Sequence, residues 1–152
     1  MASAVLVSYV SNIITLQATI DKAPILITIL YNELEENEGN LVAGSTYRID
    51  FNTKNLANNE ISGLRTIIEC TADPAFESEE ELSIVYEDAN GQWELEKSFD
   101  QGTIYFYIPS STSTWSAPVG YDWDASAYVT TAPDLQPGTT ITCDIAVYLV
   151  GG

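Results

Sequence analysis

Histidine is absent from this chain. Imidazole is the usual general base near neutral pH, the middle member of a Ser-His-Asp relay and a common metal ligand, so most hydrolytic and transition-metal chemistries lose their first candidate. Basic residues are almost as scarce: 5 lysines and arginines face 22 aspartates and glutamates, a net charge of -17. Nothing neutralises phosphates, which argues against nucleic acid as a partner. No apolar run approaches the roughly 18 residues of a membrane-spanning helix. No basic segment followed by an apolar stretch and a cleavage site opens the chain. A cytoplasmic start and a mature secreted chain whose leader was replaced by Met1 both fit that opening, and composition favours the second, an extracellular protein. The sequence also lacks any N-x-Ser/Thr, so asparagine-linked glycans are not expected.

Cysteine is limited to Cys70 and Cys143, 73 residues apart and in no CxxC pair. That spacing sets aside zinc and dithiol redox motifs. Both read as inward positions of strands. Two buried thiols, or one disulfide joining strands distant in sequence, fit that placement equally well.

What the chain has in quantity is alternation. Hydrophobic residues make up 45%, enough for one domain with a single core. Tyr47, Ile49 and Phe51 face one way with polar residues between them, as do Leu64, Thr66, Ile68 and Cys70. Leu82, Ile84 and Tyr86 pair with Trp93 and Leu95 across a hairpin whose Asn90-Gly91 suits a tight turn. Ile104, Phe106 and Ile108 make another inward face, ended by Pro109. In the last strand Ile141, Cys143, Ile145, Val147 and Leu149 point in, and Thr142, Asp144, Ala146 and Tyr148 point out. Eight or nine such strands predict an all-β chain, a β-sandwich with jelly-roll-like topology. Glu77–Glu81 is the one stretch suited to a helical turn.

Two segments are apolar on both faces, residues 4–10 and 25–31, which predicts strands covered on both sides; for 25–31 a central position in one sheet, or one at an interface, meets that expectation. Before Glu33 the only charges are Asp21 and Lys22. An uncharged, β-prone opening in so acidic a protein has to be buried somewhere. An extended segment can add to the open edge of a neighbouring copy and satisfy its own backbone there. In that arrangement Val5, Val7 and Tyr9 fill pockets in the acceptor, and Leu6 and Val10 meet the adjoining surface. Repeated head to tail, the contact does not close and makes a filament of identical subunits. Residues 1–12 are then a donor strand and crossing linker, and 13–152 the sandwich domain.

Three segments carry a resemblance. Ala4-Val-Leu-Val-Ser-Tyr-Val-Ser-Asn12, leading through Ile13–Ile20 to Lys22-Ala-Pro-Ile25, is similar to the mature N-termini of TasA/camelysin-like fibre proteins and related archaeal bundling pili. Leu41-Val-Ala-Gly-Ser-Thr-Tyr-Arg-Ile-Asp-Phe-Asn-Thr-Lys-Asn55 resembles their Gly-then-strand element. Leu135-Gln-Pro-Gly-Thr-Thr-Ile-Thr-Cys-Asp-Ile-Ala-Val-Tyr148 resembles their closing strand. The resemblance implies a cell-surface subunit that polymerises by donor-strand exchange.

Catalysis finds no convincing constellation, and the chain reads as a non-enzyme. Calcium is the cofactor its chemistry suits, because that cation takes six to eight oxygens from carboxylates, amides and carbonyls. The candidate ligands are Glu87, Asp88 and Asn90 in one loop and Asp122 and Asp124 in another; neither matches an EF-hand. The segment Trp115–Asp124 gathers Trp115, Tyr121 and Trp123 beside carboxylates, a combination suited to stacking on sugar rings and accepting from their hydroxyls. Loop packing is the plainer use of the same rings. A carbohydrate- or calcium-binding surface module is therefore the alternative to the filament subunit, and a viral coat or tail subunit shares the same fold.

Overall fold

The computed structural model describes residues 24–150 and, as backbone, Val7–Tyr9. Its regular structure is nearly all strand: β1 (Val7–Tyr9), β2 (Ile25–Asn32), β3 (Thr46–Asn55), β4 (Ile61–Asp73), β5 (Leu82–Asp88), β6 (Gly91–Glu94), β7 (Glu96–Asp100), β8 (Thr103–Ile108), β9 (Trp115–Ala117), β10 (Asp122–Thr131) and β11 (Thr140–Val150). One sheet runs β1-β11-β4-β8-β7, with β9 also on β4; the other runs β2-β3-β10-β5-β6. All pairings are antiparallel. Without β2, β7 and β9, the orders reduce to β1-β11-β4-β8 and β3-β10-β5-β6. That interleaving, with the first strand beside the last, makes a jelly roll. The all-β sandwich expected from the alternation is the fold observed.

Alternation places the core directly. Ile49 and Phe51 of β3, Ile84 of β5, and Ala127 and Val129 of β10 face Leu64 and Ile68 of β4, Ile104 and Phe106 of β8, and Ile145 and Val147 of β11. Each large side chain sealed there contributes roughly 1.5–3 kcal/mol. Cys70 and Cys143 are register partners on β4 and β11 and are joined as a disulfide. The bond ties neighbours within one sheet, not the two sheets to each other.

Several expectations shift. Val7–Tyr9, expected in the sheet of a neighbouring copy, pairs with Tyr148–Val150 of its own chain. The physical reason is topological: β11 presents an outer edge, and the first strand of a jelly roll belongs there. Val5, Leu6 and Val10, like the segment Ile13–Ile20, lie outside the described residues. β2, expected to be central because it is apolar on both faces, is an edge strand; a bulge between Ile29 and Tyr31 leaves Leu30 58% exposed. In β11 the expected alternation holds through Val147, but Ala146 and Tyr148 are buried too, and Leu149 is 40% exposed.

Local signals explain the turns. Asn32 caps a single helical turn, α1 (Glu33–Glu36), by accepting from the amides of Leu34 and Glu35, where the composition suggests only a polar connection. The turn expected around Glu77–Glu81 is a 3₁₀ turn at Glu79–Glu81, started by a Ser78/Glu81 capping box. In the β5–β6 hairpin the loop residues are Ala89 and Asn90, with Gly91 beginning β6 at a φ of +132°. The turn with two positive φ angles falls instead at Gln101–Gly102, between β7 and β8.

Candidate functional site

At one end of the sandwich the inward positions change character. Along β5 the inward series Leu82, Ile84, Tyr86 continues to Asp88, so the strand's period of two carries a carboxylate into the space between the sheets. Trp93 of β6 is the register partner of Tyr86 and joins the same face. Trp123 opens the inward series Ala125, Ala127, Val129 of β10. The other sheet contributes Thr66, Ile108 and, through β9, Trp115. Together with Phe51 and Tyr121 they line a cavity of about 280 Å³ containing six aromatic side chains.

The rings form two contacting groups. Tyr121 lies between Trp115 and Trp123, with centroids at 5.3 and 6.0 Å and an angle of 16° to the Trp123 ring. Tyr86 packs on Trp93 at 4.7 Å and reaches Phe51 at 6.4 Å. Asp88 links the groups: its Oδ2 accepts from Trp123 Nε1 at 3.2 Å, and its Oδ1 accepts from the Asn90 amide at 2.8 Å. Burial, and then a hydrogen bond to Asp88, push the Tyr86 hydroxyl well above its ordinary value. Tyr121 is pushed up to about 12 by burial and by the Asp88 charge. Both phenols are therefore neutral donors across the physiological range.

Polar pins hold the mouth in shape. Trp115 Nε1 donates to Thr66 Oγ1 at 3.1 Å. The amide of buried Asn55 donates to the carbonyls of Asn59, Ala117 and Pro118, and its backbone N–H donates to Tyr121 O. A buried amide satisfied in this way fixes a loop more firmly than apolar contact alone. The turn it anchors is closed by Tyr121 N–H donating to Pro118 O.

Of the residues singled out in the sequence, Trp115, Tyr121 and Trp123 converge on this one cleft. Asp88 and Asn90, expected as calcium ligands, line it as well. The remaining calcium candidates are elsewhere. Glu87 points to the opposite face of β5 and accepts from the Tyr128 hydroxyl at 3.0 Å. Asp122 and Asp124 lie on the outer face of β10, where Asn52 Nδ2 donates to both, at 2.6 and 2.8 Å. Among the described residues no three acidic or thiol side chains gather as a metal group. Adjacent strand residues face opposite ways, which separates Glu87 from Asp88. Alternation marks Trp93 and Tyr86 only as strand residues; their pairing across the hairpin is the signal that could have brought them into the site.

A larger cavity, about 510 Å³, lies between β2, α1 and β11. Its walls are aliphatic, with Glu35, Glu38 and Asp144 among the lining residues and no aromatic side chain. Its volume is the greater, but the convergence of rings and donors distinguishes the first.

No family model matches this chain, and no curated protein sequence does. Among solved structures it is similar to a chain described as "AvmM Catalyzes Macrocyclization in Alchivemycin A Biosynthesis", with 11% identity, a TM-score of 0.51, and coverage of 74% of this chain and 67% of that one. That likeness concerns the fold. Two chains described as family 29 carbohydrate-binding modules, one of them a mutant complexed with cellulohexaose, each share 13% identity over 95–96% of this chain and 86–90% of theirs. At TM-scores of 0.26 neither superposition bears on fold or site.

Proposed function

We propose that this protein is a non-catalytic carbohydrate-binding module whose site is the aromatic cleft around Asp88. The observation that carries this reading is the convergence of Trp93, Trp115, Tyr121 and Trp123, from both sheets, on a cavity that also holds a carboxylate. Pyranose rings present C–H faces that pack on aromatic rings and hydroxyls that need fixed acceptors and donors. Asp88 accepts, and the Tyr86 and Tyr121 hydroxyls remain protonated at neutral pH. Rigid rings and fixed polar atoms lower the ordering cost of binding.

The test is tryptophan fluorescence, with the protein titrated against a panel of neutral and charged oligosaccharides. A saturable change is expected for at least one class. Trp93, 38% exposed, is the ring whose truncation disturbs the core least. Trp93→Ala is expected to weaken binding at least tenfold, ~1.4 kcal/mol, in a protein that still melts cooperatively. Absence of binding across the panel, or full binding by Trp93→Ala, overturns the reading.

A further inference from the structure

We infer that the sugar bound in this cleft carries a protonated amine, so that an unacetylated amino sugar is preferred to its neutral and acidic counterparts. This rests on the reading of the cleft as a sugar site and names the ligand class more narrowly. Asp88 is the one charged residue among those lining the cavity. Its hydrogen bonds come from neutral donors, the Asn90 backbone amide and the Trp123 indole, so its negative charge is held in place without being cancelled.

Among the described residues no ion pair reaches Asp88, and Arg48, Arg65 and Lys97 are engaged elsewhere. Arg48 pairs with Asp50, Arg65 donates to Ser113 O, and Lys97 donates to Leu82 O. Lys54 follows the inward Thr53 on β3 and so stands exposed on the outer face, as the register partner of Asp122. Aromatic faces attract a cation through their quadrupole, most strongly where water is excluded. A carboxylate set among such faces is complementary to an ammonium group, and a charge-assisted hydrogen bond is roughly twice as strong as a neutral one. A sugar carboxylate or sulfate meets repulsion from Asp88 in a chain already at -17.

The experiment compares a glucosamine disaccharide with its N-acetylated form and with a neutral glucose disaccharide, by calorimetry on the intact protein at pH 6 and about 150 mM salt, where long-range attraction is screened. A preference of about tenfold for the free amine is expected, falling toward unity at pH 9 as the amine loses its proton. Asp88→Asn is expected to abolish the preference, read as the ratio of the amine-sugar and neutral-sugar affinities in the same variant. Glu87→Gln removes a carboxylate from the opposite face of the same strand and is expected to leave the preference intact. Should Asp88→Asn fold poorly, the loss of preference at pH 9 in the unaltered protein tests the same point. Equal affinity for the amine and neutral sugars, a preference for the acetylated form, or an equal effect of Glu87→Gln overturns this inference and leaves the cleft as a sugar site. Binding of no sugar at all overturns both.

Discussion

At the scale of single residues, the sheet's geometry decides what each carboxylate experiences. Glu69 of β4 and Asp144 of β11 are register partners, and Tyr105 of β8 stands opposite Glu69. Partial burial, and then the Asp144 charge, raise the Glu69 carboxyl; partial burial raises Asp144. Tyr105 is raised by burial and then by the Glu69 charge. A carboxyl with a raised folded pKa favours the folded state while protonated. That contribution is complete below the ordinary carboxylate range, about pH 4, and is lost as pH rises through the folded values. Asp144→Asn is therefore expected to raise stability at pH 7, by the roughly 0.2–1 kcal/mol typical of an opposed pair, and to change nothing at pH 3, both read from melting curves. A gain that persists at pH 3 shows that repacking, not charge, is responsible. Asp88 shows the same dependence on strand parity. It continues the apolar series of β5, so its inward direction was legible in the sequence. Its surroundings were not, because Trp115 and Tyr121 reach it from segments whose path alternation does not encode.

At the scale of elements, the strongest single constraint is the disulfide between β4 and β11, the pair with the longest register in the fold. Linking residues 73 apart removes loop-closure entropy from the unfolded chain, ~4 kcal/mol in the chain-entropy picture and commonly 2–5 kcal/mol when a native bond is removed. Cys70→Ala with Cys143→Ala is expected to lower stability by roughly that range in urea unfolding, while the cleft, which takes Thr66 from β4 and no residue from β11, keeps its ligand affinity. A loss of affinity at full folding would show that the bond shapes the site. The inward faces of β4, β5 and β8 were readable from period two along their length, and that of β11 as far as Ile145, beyond which both of its faces are covered. β2 departs from its expected central place for a physical reason. Apolar residues on both faces of a strand describe burial only where both faces are covered; β2 ends its sheet, and its outer face leaves Leu30 exposed beside a bulge. The turns were only partly legible. Asn90-Gly91 carries the strongest hairpin signal, yet the Asp88 side chain, by holding the Asn90 amide, sets the loop one residue earlier.

At the scale of the whole molecule, the opening strand connects fold to assembly. β11 lies between β4 and β1, so Val7–Tyr9 covers what is otherwise the open edge of that sheet. An uncovered edge offers unpaired N–H and C=O groups to any other strand, and in this protein the net charge of -17 is the chief remaining obstacle to such contact. Removing residues 1–10 is therefore expected to have two consequences. Stability falls by about 1 kcal/mol, read as ~2–4 °C in Tm for a chain of this size. Self-association increases, and does so most at high salt, where the charge is screened. Light scattering across a salt series, on full-length and shortened protein, measures both the size and the trend. Donation of the strand to a neighbour requires the reverse, with the full-length protein forming long assemblies and the shortened chain staying small because it has nothing to insert. The two outcomes differ in sign, so one salt series decides whether the edge of β11 is closed from within the chain or from the next copy.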